Sequence, residues 1–120
     1  MADYLELYFG SPDNIDTTVE ALGEFLGVRF ELSRMHYADY EAHDGRRHYD
    51  LALDNDEEED DPADDMPFTK MPYVLTLRGD RDMDAELEEI GRELIRQVQQ
   101  RGYVPARLVY ATTNVLAKAN

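Results

Sequence analysis

The sequence predicts an α+β fold, a two-layer sandwich of one sheet and two helices, on three observations. Four segments show strand periodicity, with apolar and polar residues alternating or apolar residues on both faces, while two others repeat their apolar residues at helical spacing. An Asp-Gly dipeptide between strand-like segments marks a hairpin. The chain has 120 residues and no cysteine, so it is long enough for one apolar core and must hold that core without covalent cross-links.

Residues 4–9 place Leu5, Leu7 and Phe9 on one side and Tyr4, Glu6 and Tyr8 on the other, the pattern of a strand buried on one face. Gly10 ends it. Ser11 reads as an N-cap with Pro12 at the first helical position, and Ile15, Val19, Leu22 and Leu26 form an apolar stripe closed by Gly27. Alternation returns with Val28, Phe30 and Leu32 against Arg29, Glu31 and Ser33, opening a strand that continues to the turn at Asp44-Gly45. A two-residue loop there pairs Tyr40 with Tyr49, Ala38 with Leu51 and His36 with Leu53, and makes Glu41 the neighbour of His48. This phase puts Arg34 and His36 on the apolar face, unless a bulge near Met35 resets it or they reach the sheet's end.

Tyr73, Leu75 and Leu77 alternate with Val74, Thr76 and Arg78, apolar on both faces as a central strand requires. Met83, Leu87, Ile90, Leu94 and Val98 then trace a second helix, with Asp80 and Asp82 near its positive end and Arg101-Gly102 closing it. Leu108 to Ala111, continuing toward Val115, form the last strand. The order strand, helix, three strands, helix, strand implies a mixed, mainly antiparallel five-stranded sheet with both helices on one face. It resembles a ferredoxin-like βαβββαβ arrangement, a likeness of topology that implies no activity.

Charge narrows the function. With 27 acidic side chains against 12 basic ones, the net charge of −15 repels phosphate backbones and anionic headgroups, so no nucleic acid and no membrane is expected as partner. A macromolecular partner is expected to be basic. Nine of the acids are Asp54, Asp56, Glu57, Glu58, Glu59, Asp60, Asp61, Asp64 and Asp65, a run that repels itself and predicts a mobile loop at about 54–70 within a single domain, 1–120. The absence of an apolar leader and of any stretch of ~20 apolar residues reads as a soluble, cytoplasmic protein.

Few residues suggest chemistry. The absence of cysteine excludes disulfides, thiol nucleophiles, thiolate metal sites and iron–sulfur clusters. Glu41, His43 and His48 near the hairpin are the right ligand types for zinc. Against that stand the Arg46 cation and the lack of supporting groups at an exposed tip, so no metal is expected. Asp54, Asp56 and Glu58 match the first alternate positions of a calcium loop, but Glu59 stands where Gly is needed and Asp65 where Glu is needed. Ser11 and Ser33 are the only serines, neither in a nucleophile elbow, and no phosphate loop is present. No cofactor is expected.

The tyrosines carry more information. Tyr4 and Tyr8 point away from the apolar face and Tyr37 is opposite in phase to Tyr40, so tyrosines share a wet face with acids. The expected partner-binding residues are Tyr4, Tyr8, Glu31, Tyr37, Asp39 and Glu41, with Asp56, Glu57, Glu58, Glu59, Asp60 and Asp61 steering encounter. The expected function is a non-enzymatic acidic module of the inhibitor or immunity type, covering a basic surface of a partner such as a toxin or nuclease. One alternative is a homodimeric regulatory or small-ligand domain paired through the last strand or through Tyr73–Arg78. Another is a small hydrolytic enzyme using Arg34 and His36.

Overall fold

The computed structural model describes residues 4–34, 36, 38–111 and 114–120. It is an α+β structure with two helices and a seven-stranded antiparallel sheet. The strands are β1 (Tyr4–Phe9), β2 (Glu31–Leu32), β3 (Tyr40–Asp44), β4 (Arg47–Ala52), β5 (Tyr73–Arg78), β6 (Ala106–Tyr110) and β7 (Asn114–Ala119); the helices are α1 (Ile15–Leu26) and α2 (Asp84–Gln100). The sheet order is β2-β3-β4-β5-β1-β6-β7.

Alternation in β1 is realised as read: Leu5, Leu7 and Phe9 are buried, while Tyr4, Glu6 and Tyr8 are half-buried on the opposite face. Leu7, Phe9, Leu51, Leu75, Leu77 and Leu108 meet Leu22 of α1 and Leu87, Leu94 and Val98 of α2 in one core. Full burial of each such side chain stabilises the fold by roughly 1.5–3 kcal/mol. Gly91 lets α2 approach the sheet closely, since a Cβ there would lie 2.8 Å from Leu108 Cδ1. Among the described residues no helix is long and apolar enough to cross a membrane.

The sheet departs from the expected five mixed strands in two places. The segment 28–44 is not one strand: the chain reverses between β2 and β3, with Ser33 N–H donating to the Asp39 carbonyl at 2.9 Å. Arg34 and His36 therefore lie exposed in the connection, which removes their conflict with the apolar face. Met35 and Tyr37 are outside the described residues. Leu32, expected to face the core, is 75% exposed because β2 is an edge strand beyond the reach of the helices. At the other end, β6 and β7 pair antiparallel as two strands where one was expected, with Ala111, directly after β6, at a left-handed φ of 53°. Each crossover skips strands that are filled by antiparallel ones: β1 lies between β5 and β6, so no parallel pair forms. This also places β5 centrally, which excludes it as the dimer edge considered above.

Two local readings are corrected. The N-cap of α1 is Asn14, whose side chain accepts from Thr17 N–H at 2.8 Å, while Ser11 bonds to Thr18 Oγ1 at 2.7 Å. The β3–β4 loop is Gly45-Arg46, pairing Tyr40 with Leu51, Ala42 with Tyr49 and His43 with His48. Gly45, with φ 62°, takes the first central position, where a type II′ turn needs its freedom. Glu41 consequently pairs with Asp50 and not with His48.

The acidic run is not uniformly unable to pack. Its carboxylates at Asp54, Asp56–Asp60, Asp64 and Asp65 are exposed, yet the segment is anchored. Asp61 and Met66 exchange backbone hydrogen bonds, and Met66 and Met71 bury against Val109, Tyr8, Phe68 and Val115 on the helix-free face. Asn55 Nδ2 ties the base of this segment to the Phe68 and Met71 carbonyls at 3.0 and 2.7 Å. Asp65 accepts from Arg107 at 3.2 Å and from Lys118 at 3.0 Å. The sequence reading saw only the repulsion, whereas two methionines and a buried arginine supply the compensation.

Candidate functional site

Both helices cover one face of the sheet, and the 54–71 segment covers the β1, β6 and β7 end of the other. The remainder of that helix-free face is open and holds nearly all its polar side chains. Across the sheet, Glu31, Glu41, Asp50, Thr76 and Glu6 occupy one row, and His43, His48, Arg78 and Tyr4 the next. Strand register alone brings these residues together, because odd positions of β3 and even positions of β4, β5 and β1 share a side.

A groove of about 450 Å³ lies at the edge of the covering segment, walled by Tyr4, Tyr8, Asp54 and Asp56 and floored by Glu6, Val74 and Thr76, with Asp50 and Arg78 at one end. Glu6 is its most unusual group. Burial pushes its carboxyl above the ordinary value, an effect only partly offset by a hydrogen bond from Tyr8. The Tyr8 hydroxyl is pushed up to about 12, by burial first and then by the charges of Glu6 and Glu57. No ion pair among the described residues involves Glu6. A second groove, of about 290 Å³ between β1 and the start of α2, is lined by Leu5, Leu87 and Leu116 and gathers fewer charges.

The expected binding residues separate into two groups. Tyr4, Tyr8 and Asp56 line the groove, and Glu41 and Glu31 continue its acidic row toward the sheet edge. The others are elsewhere or occupied. Asp39 accepts from Leu53 N–H at 2.8 Å, tying the start of β3 to the end of β4. Asp60 accepts from the Thr69 amide and hydroxyl, both at 2.8 Å, and these bonds hold its carboxyl below the usual range. Asp61 accepts from Asp64 N–H at 3.2 Å. Glu57, Glu58 and Glu59 are exposed outside the groove wall, and Tyr37 lies outside the described residues.

Sequence reasoning missed Glu6, Asp50 and Arg78. Asp50 is 4% exposed and sits between His48 Nε2, at 2.8 Å, and the Arg78 guanidinium, a buried carboxylate held by two partners. The available signal was parity, since Glu6 alternates with Tyr4 and Tyr8, and Asp50 with His48. No protein-family model matches this chain, and no curated protein matches it.

Chemically, the groove can accept a cation. It offers carboxylates from a strand and from the covering segment, aromatic walls for the stem of a lysine or the plane of a guanidinium, and a floor shaded from water.

Proposed function

We propose that the protein is a non-catalytic acidic binding module whose helix-free face receives a basic surface of a partner protein, in the manner of an inhibitor or immunity protein covering a toxin or nuclease. Glu6 carries this reading. A carboxylate desolvated on a groove floor, with no ion pair among the described residues, costs folding energy, and an incoming Arg or Lys recovers that cost by pairing with it. Tyr4 and Tyr8 add contact area with few torsions to immobilise. The exposed Glu57–Glu59 extend the negative field outward and accelerate encounter. In this reading the inner strands β4-β5-β1-β6 and the two helices are a ferredoxin-like frame, with β2, β3 and β7 as additions.

Titration calorimetry with an arginine-rich peptide and a neutral Gly/Ser peptide of equal length tests the assignment. The arginine peptide is expected to bind and the neutral one not. Glu6→Gln is expected to weaken binding about tenfold, or ~1.4 kcal/mol, whereas neutralising Glu57, Glu58 and Glu59 lowers affinity mainly through salt-sensitive attraction. Equal affinity for wild type and Glu6→Gln would remove the groove from the account.

A further inference from the structure

From the geometry of the β3–β4 hairpin we infer a divalent transition-metal site, of the zinc type, formed by His43, His48 and Glu41. The inference does not depend on the binding reading above, because the chemistry differs and His43 and His48 take no part in that reading; the two share only Glu41 and, behind the ligands, Asp50. His43 and His48 are directly opposed across the hairpin, with their Nδ1 atoms 3.0 Å apart. Two nitrogens bound tetrahedrally to one zinc at 2.0–2.1 Å lie about 3.3 Å from each other, so the pair is already at chelating separation. Glu41 sits on the same face of β3, and one ligand atom from each of the three residues lies within 4.8 Å of the others. Side-chain rotation alone closes the remaining distance, leaving a fourth position open to solvent.

The second observation is beneath the ligands. His48 Nε2 is 2.8 Å from Asp50, whose side chain is 4% exposed and also binds Arg78. A carboxylate only accepts, so His48 carries its proton on Nε2 and presents the Nδ1 lone pair toward His43. That is the carboxylate–histidine support that fixes tautomer and ring orientation in metal sites. His43 Nδ1 then donates to His48 Nδ1; on metal binding this proton is exchanged through solvent to Nε2 of His43, which stays neutral and frees both Nδ1 lone pairs. Arg46 does not oppose the cation as the sequence suggested, because Asp80 and Asp82 each hold its guanidinium at 3.2 Å.

Zinc chloride titrated into the full chain by calorimetry, with cobalt(II) absorption as a geometric readout, tests the site. One equivalent binding with micromolar affinity and tetrahedral cobalt bands is expected. His43→Ala, at an exposed position where folding is not in question, and His48→Ala should each abolish both signals. Asp50→Asn should weaken binding about 10–100-fold, with circular dichroism confirming the fold. A variant with Asp54 and Asp56–Asp61 neutralised should bind zinc as wild type does. Binding that survives His43→Ala but is lost in the neutralised variant overturns the assignment, as does the absence of micromolar binding to wild type.

Discussion

Glu6 faces solvent by alternation yet is shaded by the segment at 54–56, far along the chain, and the two facts have opposite consequences for pH. Its folded-state value lies above the ordinary 4.5, so the native protein binds this proton more tightly than the unfolded chain. Stability is therefore greatest below 4.5 and falls as pH rises through the raised folded value, after which Glu6 contributes no further change. Glu6→Gln removes this decline. Denaturant titrations should show the variant more stable than wild type at pH 7 and equal to it at low pH, although it binds the arginine peptide less well; a variant destabilised at both pH values would contradict the role assigned to Glu6. Asp65 has the opposite sign. Its bonds from Lys118 and Arg107 hold its carboxyl below 3.8, so its contribution is present above that value and lost as pH falls through the depressed one. The residue pattern located Glu6 on its face but could not reveal the shading, which depends on a long-range contact.

At the level of elements, the hairpin shows why a wrong loop still gave the right faces. Moving the loop by one residue, from Asp44-Gly45 to Gly45-Arg46, shifts the pairing by two residues, so that Tyr40 meets Leu51 in place of Tyr49; an even shift preserves parity, and Tyr40, Ala42, Tyr49 and Leu51 remain on the core side. Partners changed all the same, and with them the opposition of His43 and His48. The 54–71 segment was hardest to read because composition describes its repulsion but not its anchors: Met66, Met71 and Asn55 are single residues that pair with partners distant in sequence. Met71 is fully buried between segment and sheet. Met71→Ala is expected to cost about 2–5 kcal/mol and to release the amides of Asp61 and Met66 in hydrogen exchange before those of β5. Unchanged protection of those two amides would mean that the strap is held by its ion pairs and not by its apolar contacts.

For the whole molecule, the two helices, the stripe of α2 and the central position of Tyr73–Arg78 were legible because local periodicity determines them; the stripe of α1 was read only in part, since Ile15 is 43% exposed and its buried face is Thr18, Ala21, Leu22 and Gly23. Strand number was not, since the reversals near residues 33–39 and 111 carry no Asn-Gly or Pro-Gly signal. Net charge was legible at once and bears on kinetics. With −15 on the chain, association with a basic partner should slow steeply as salt rises, because screening reaches ~8 Å at 0.15 M ionic strength. Neutralising Glu57, Glu58 and Glu59 should flatten that dependence in stopped-flow measurements while leaving dissociation nearly unchanged. The most direct test of the groove is affinity capture from native lysate on wild-type and Glu6→Gln baits at low and high salt. One basic protein held by wild type, released by salt and depleted on Glu6→Gln is the predicted result; the same protein held equally by both baits, or a mixture of basic proteins shed alike from each, would contradict it.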